Sequence, residues 1–277
     1  YITDEILERN LPVEITWVAP ADGEISEDAF PEQVNVVRRG SFEMYEEMAQ
    51  SKIWFDNALN CVWFGMPKKK GQIYFNTWHG SMGIKRLSGN FKWRMRAKQC
   101  NRFTDYCISN SIFEENVYRD TFWPDVTLLK YGHARNDVFF NPEKCSELQK
   151  RAKEYFSLDA DTKLFLYAPT FRDHEVDDPK IYLDIQKMAK ELPDSYCLGL
   201  RLHPFVASRF HLDNSLNGKV INFSEYDSIN TLLMATDVLI TDYSSIIFEF
   251  CVYRKPMIFF AYDLEEFSDQ GRGFYRN

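Results

Sequence analysis

Short runs rich in β-branched and aromatic residues alternate with helical stretches along most of the chain, and this alternation restricts the fold more than any other feature. Strands separated by helices cannot pair as tight hairpins; each helix carries the chain back over the sheet, so the strands run parallel. In the first half the expected strands are VEITWVA (13–19), VNVVR (34–38), KIWF (52–55), QIYFNT (72–77) and DYCIS (105–109). SFEMYEEMAQ (41–50) and SIFEENVYRDTF (111–122) read as helices with Ser41 and Ser111 as N-caps. The second half offers strands at KLFLYAP (163–169), YCLGLRLHP (196–204), KVINF (219–223), DVLITD (237–242) and PMIFFA (256–261). Its helices are expected at 141–156, with Pro142 in the first turn, and at 181–192, 228–235 and 244–254.

A chain of 277 residues suits two domains of ordinary size. The break falls near YGHARNDVFFNP (131–142), giving an N-terminal doubly wound domain over 1–135 and a C-terminal one over 136–277. Because the sequence starts at Tyr1 and stops directly after a strand-like segment, it is expected to be a piece of a longer polypeptide.

Net charge is −8, which argues against general nucleic-acid binding. From Lys68 to Arg102, however, there are ten Lys or Arg and no Asp or Glu, leaving 23 basic against 41 acidic residues elsewhere. A solvated helix face would mix both signs, so the island points to an anionic partner. The six cysteines, Cys61, Cys100, Cys107, Cys145, Cys197 and Cys251, are scattered without metal or redox spacing and read as reduced, buried thiols of a cytoplasmic protein. No run approaches the ~20 apolar residues of a spanning helix.

In parallel sheets ligands bind beyond the carboxyl ends of the strands. That rule selects TWHG, APTFR, RLHP and TDYSS. In DYSS, Asp242, Ser244 and Ser245 open a helix whose first amides suit a phosphate, or simply cap it. Arg201 and His203 alternate along one strand and point to one face, where they can hold a diphosphate. His203 can equally satisfy a backbone group before Pro204. Arg172 lies just past a strand; its planar fork fits phosphate oxygens, or pairs with Asp173 or the acids of HEVDD. Neither a G-x-G-x-x-G nor a G-x-x-x-x-G-K-[ST] is present, so anion binding falls to Arg, His, Lys and helix ends. No cofactor is required by the sequence; a magnesium ion can assist, but no dedicated metal site is visible.

WHG with a following lysine, ISNSIF, GHARND, YAPTFRD, RLHP and ITDYSSIIFEF occur here in order. Together they resemble the CDP-glycerol glycerophosphotransferase family, the polymerases and primases of teichoic acids and related capsular polymers. The resemblance covers roughly residue 50 to the end. It implies a GT-B-like fold, two Rossmann-like domains with parallel sheets facing across a cleft. It implies transfer of glycerol-phosphate or ribitol-phosphate from CDP-glycerol or CDP-ribitol to a hydroxyl of an anionic lipid-linked polyol-phosphate acceptor, releasing CMP. By position, His79 is similar to the general base, and His203 and Arg172 to the diphosphate ligands. Arg201, Asp242, Ser244 and Ser245, with Arg135 and Asn136 of GHARND, fall on the donor side; Gly80 and Lys85 fall on the acceptor side.

Many relatives read WHGTPLK where this chain has WHGSMGIK, and here His133 and Ala134 replace an aromatic residue and a proline. The resemblance also implies work at the inner face of the cell membrane, for which NFKWRMRAKQCNR (90–102) supplies a helix mixing Phe91, Trp93 and Met95 with cations. The plainer reading makes Trp93 core and the cations solvated. An ordinary GT-B glycosyltransferase using a nucleotide sugar, and a module that only binds nucleotide or anionic polymer, remain the alternatives.

Overall fold

The computed structural model describes residues 1–26, 29–60, 65–86, 91–172, 180–216, 218–226, 228–269 and 273–275, omitting the side chains of 91 and 214. It is of the α/β class with parallel sheets, as the alternation of elements requires. Two compact units form: Tyr1–His79 with Gly89–Ala134, and Gly80–Ser88 with Arg135–Asn277.

The first unit holds α1 (Ile2–Glu8), β1 (Ile15–Ala19), β2 (Val34–Arg38), α2 (Phe42–Gln50), β3 (Ile53–Asp56) and β4 (Ile73–Asn76). It continues with α3 (Phe91–Phe103), β5 (Tyr106–Ile108), α4 (Ile112–Thr121) and β6 (Thr127–Leu129). β1 and β2 pair in parallel, and β3-β4-β5-β6 form a parallel sheet in sequence order. The expected caps are in place: Ser41 Oγ accepts from Met44 N–H and Ser111 Oγ from Glu114 N–H, each at 3.1 Å. Trp54 stacks on Phe103 at 5.7 Å, and Tyr74 meets the same ring edge-on at 5.0 Å. α1 and β6 have no counterpart among the expected elements. β6 is an edge strand of three residues, too short to carry an alternation that a sequence reader can recognise.

The main part of the second unit begins within a 3-10 segment at Ala134–Phe140. It comprises α5 (Pro142–Tyr155), β7 (Lys163–Ala168), α6 (Ile185–Glu191), β8 (Tyr196–Leu200), α7 (Pro204–Ala207) and β9 (Val220–Asn222). α8 (Ile229–Ala235), β10 (Val238–Thr241), α9 (Ile246–Val252), β11 (Met257–Phe259) and α10 (Leu264–Asp269) complete it. Its five strands run parallel in the order β11-β10-β7-β8-β9. Leu164, Leu166 and Ala168 of β7 pack on one face with residues of α8 and α9. Tyr167 points to the other face with Ile185, Leu198 and Leu200. Both faces are thus covered, the condition under which a parallel sheet is stable. The strand order reverses between β7 and β10, so the chain enters and leaves this crevice through the loops APTFR and TDYSS.

Four of the described cysteines, Cys100, Cys107, Cys145 and Cys197, are buried free thiols; Cys251 is a free, exposed one, and Cys61 lies outside the described residues. Burial pushes the Cys197 thiol up to about 11, so it stays protonated and inert. Among the described residues no helix is long and apolar enough to cross a membrane.

Candidate active site

In the first unit the carboxyl ends of β3 and β4 place His79 on an exposed turn. Its Nδ1 lies 2.7 Å from the Asn57 carbonyl oxygen. A carbonyl only accepts, so Nδ1 carries a proton, and whenever the ring is neutral its lone pair is on Nε2. The ring also stacks on Trp78 with centroids 4.3 Å apart and planes 28° from parallel. Trp78 itself has φ +52, a conformation a bulky residue adopts only when its surroundings impose it. Here the indole is buried against Phe122 at 4.9 Å and Trp123 at 5.6 Å.

In the second unit the switch point is cross-braced. Asp242 Oδ1 accepts from Thr170 N–H at 2.8 Å, and Thr241 Oγ1 donates to the Ala168 carbonyl at 2.6 Å, so the loops after β7 and β10 are tied together. Arg172 is 3% exposed. Its Nε and Nη2 donate to both oxygens of Asp263 at 2.7 and 2.9 Å, and Nη1 reaches the Thr170 carbonyl at 2.6 Å and Asp242 Oδ2 at 2.9 Å. The Tyr243, Tyr262 and Phe267 rings enclose the guanidinium at 5.1–5.4 Å. The fork that the sequence offered to phosphate oxygens therefore closes on two carboxylates. Its expected partners Asp173 and the acids of 174–178 lie outside the described residues.

Arg201 and His203 do not share a strand face, because β8 ends at Leu200. Arg201 Nη1 donates to the Phe223 carbonyl at 2.8 Å and also to that of Ser224, anchoring the end of β9. His203 is exposed and caps α7: its Nδ1 accepts from Phe205 N–H at 3.3 Å, which leaves the proton on Nε2. The ring stacks on Phe171 at 4.6 Å, and both line a small pocket with Thr170, Lys180 and Tyr182. His203 thus presents a hydrogen-bond donor where His79 presents an acceptor.

A third group surrounds the start of α9. Ser244 Oγ accepts weakly from Ile246 N–H at 3.4 Å, and Ser245 occupies the N-cap without using its side chain there. Glu249, wholly buried, has Oε1 3.4 Å from Arg135 Nη2 and 3.3 Å from Ser81 N. A methyl at Gly80 would touch Arg135, Glu249 and Ser245 at 3.7–3.8 Å, and the glycine has φ +155. The Oδ1 of Asn136 is buried with no partner among the described residues. Gly80 and Lys85, assigned to the acceptor side from sequence, lie in the second unit, with Lys85 bridged to Phe274 and Arg86 N–H bonded to the Gly273 carbonyl at 2.9 Å.

Sequence reasoning missed Asn57, Asp263, Ser81 and Glu249. Only Glu249 left a signal, an acid inside the apolar run IIFEF. Among the described residues no three His, Cys, Asp or Glu side chains gather to hold a metal ion.

Within the basic island, Lys68 is consumed by the Phe103 carbonyl, at 2.9 Å, and by Asp105. Lys69 donates to the Ala49 carbonyl at 3.0 Å. On α3, Trp93 turns inward onto Phe122 at 5.3 Å, whereas Lys92, Arg94, Met95, Lys98 and Arg102 are exposed. Among the described residues this face is cationic with a single large apolar residue, Met95.

The family model described as CDP-Glycerol:Poly(glycerophosphate) glycerophosphotransferase matches residues 1–277. The teichoic acid poly(glycerol phosphate) polymerase of Staphylococcus epidermidis is 34% identical over 264 residues, covering 89% of this chain and 36% of that protein. That of Bacillus spizizenii is 31% identical over 259 residues, covering 87% of this chain and 64% of that protein. The solved structure of the wall teichoic acid polymerase TagF superposes with a TM-score of 0.88 at 28% identity, covering 100% of this chain and 70% of that one. The chain spans about a third to two thirds of the length of these curated relatives.

Proposed function

The chain belongs to the CDP-glycerol:poly(glycerophosphate) glycerophosphotransferase family, and on that premise we propose that it transfers a polyol phosphate from a CDP-activated donor to a hydroxyl of a lipid-linked or polymer acceptor. The acceptor oxygen bonds to the phosphorus that carries the glycerol or ribitol, its proton passes to His79 Nε2, and the bond from that phosphorus to the CMP oxygen breaks. CMP leaves with the bonding pair. Phosphoryl transfer of this kind depends on positioning and on donors for the oxygens where charge collects.

The observation that supports the reading is the opposite tautomers of two histidines in family motifs: the Asn57 carbonyl favours Nδ1–H on His79, leaving Nε2 to accept, and the Phe205 N–H favours Nε2–H on His203. His203 then bonds a diphosphate oxygen without needing a charge, which replaces the cationic His203–Arg201 pair expected from sequence. Arg135, Asn136 and Ser245 serve as donor ligands, and Ser244 belongs to the same turn. Arg172, Asp242 and Arg201 shape that region from behind. A donor labelled with ³²P in the phosphate next to glycerol tests the chemistry. The label is expected in the acceptor; label retained on a nucleoside diphosphate would mark a nucleotide-sugar type of transfer and refute the proposal.

The exposed face of α3 supports contact with an anionic membrane at the cytoplasmic side, where the acceptor is anchored. Each cation near such a surface contributes about 1 kcal/mol. Replacing Lys92, Arg94, Lys98 and Arg102 together by glutamine is expected to lower partition onto phosphatidylglycerol vesicles by on the order of 10³-fold. Sedimentation with anionic and neutral vesicles measures this, and equal binding to both by the unaltered chain would dismiss it.

A further inference from the structure

We propose that Asp56 and Asn76 are positioning residues for His79, acting through the Asn57 carbonyl and the Trp78 backbone. The inference rests on the reading of His79 as base. Asp56 and Asn76 are register partners at the carboxyl ends of β3 and β4, 8% and 0% exposed. Neither is placed to serve the core, where a polar side chain costs free energy unless every bond is made. Both instead spend their bonds on the two turns that hold the imidazole.

Asp56 organises the turn that contains Asn57. Its Oδ1 accepts from Ala58 N–H at 3.1 Å and Asn60 Nδ2 at 2.6 Å; its Oδ2 accepts from Asn60 N–H at 2.9 Å and from the Tyr74 hydroxyl. The carboxylate thereby curls residues 57–60 around itself and points the Asn57 carbonyl at His79 Nδ1, 2.7 Å away. Asn76 links that turn to the other. Its Nδ2 donates to the Ala58 carbonyl at 2.6 Å, and its Oδ1 accepts from Trp78 N–H at 2.8 Å. The second bond supports the φ of +52 at Trp78, which sets the indole against the His79 ring.

An amide is the side chain this position demands, because one end must donate and the other accept. Aspartate, nearly isosteric, would keep the bond from Trp78 and set an oxygen against the Ala58 carbonyl. The imidazole is therefore oriented by a backbone carbonyl that two buried side chains hold in place, and that bond selects the tautomer whose Nε2 accepts a proton.

The test uses the full chain labelled with ¹⁵N-histidine. In the unaltered protein the ring nitrogen shifts of His79 are expected to report Nδ1–H. In Asn76→Asp the Nε2–H form should rise to a measurable share, and kcat for CMP release should fall about 10²-fold, the scale of a 1 Å misplacement. KM for the CDP donor should stay within about twofold, since the imidazole acts only as the bond forms. Should Asn76→Asp fail to fold, Tyr74→Phe, which removes one bond to Asp56, is expected to shift the same nitrogen signals in the same direction. Unchanged His79 shifts in a folded Asn76→Asp or Tyr74→Phe variant would overturn the inference. A changed tautomer in a chain that releases no CMP from any CDP-polyol would leave the positioning intact and defeat the functional reading instead.

Discussion

Replacing His79 by alanine is expected to lower kcat for CMP release by about 10²–10⁴-fold, the ordinary worth of a general base. The reason lies in the nucleophile. An acceptor alcohol is a weak acid, and its oxygen becomes a competent nucleophile only as its proton departs. The Asn57 carbonyl holds the imidazole proton on Nδ1, so Nε2 is the nitrogen that can take that proton. The interaction is made in the transition state and not in the ground state, so turnover should fall while KM for the donor changes little. Steady-state kinetics with a CDP-polyol measures both. Asparagine at 79 should be as impaired as alanine, because it restores polarity without basicity. Full turnover in either variant would remove His79 from the chemistry.

Arg172→Ala is expected to destabilise the second unit by about 3–5 kcal/mol, the usual consequence of removing one partner from a buried ion pair. Asp242, buried, and Asp263, largely buried, would be left without the guanidinium that both carboxylates bond. Urea unfolding followed by tryptophan fluorescence and circular dichroism measures the loss; a change below about 1 kcal/mol, the value of an exposed pair, would contradict the bracing role. The pH dependence gives a second check. Burial alone would raise the Asp263 carboxyl, but its bonds from Arg172 and Tyr243 outweigh burial and hold it below its ordinary value. The unfolded chain therefore binds that proton more readily than the folded one. The stabilisation is complete above the ordinary carboxylate range and disappears as the pH falls through the lowered folded value. In Arg172→Ala the bonds and the charge that oppose burial most are lost and the Tyr243 hydroxyl and a backbone amide remain, so this acid-labile share of the stability should shrink.

The strands and caps were legible because they depend on neighbours in sequence. Ser41 and Ser111 are each followed three residues later by the amide they cap, and the β7 pattern KLFLYA fills two faces of one sheet. Arg172 shows the opposite case. Sequence reading looked for its partners among Asp173 and 174–178, whereas the partners found, Asp242 and Asp263, lie 70 and 91 residues onward and are brought to it by the parallel pairing of β7 with β10 and of β10 with β11. His203 was read on a strand running to 204 beside Arg201, whereas β8 ends at Leu200 and the tautomer of His203 depends on α7 starting at Pro204. The same limit hid the support of His79. Asn57 acts through its carbonyl, which every residue has, so no side-chain pattern advertises it. Trp93 was open to two readings because a helix sequence alone does not say which of its apolar residues finds a neighbour; Phe122 decides it.

The most direct measurement is the nucleotide released when the chain, with and without His79→Ala, meets CDP-glycerol and then CDP-ribitol beside a lipid-linked polyol-phosphate acceptor. Chromatography separates the products. The proposed reaction yields CMP, in step with acceptor elongation, from at least one donor, and the alanine variant yields about 10²–10⁴-fold less per unit time. Release of CDP, or no release of nucleotide from either donor by the folded, unaltered chain, would contradict it.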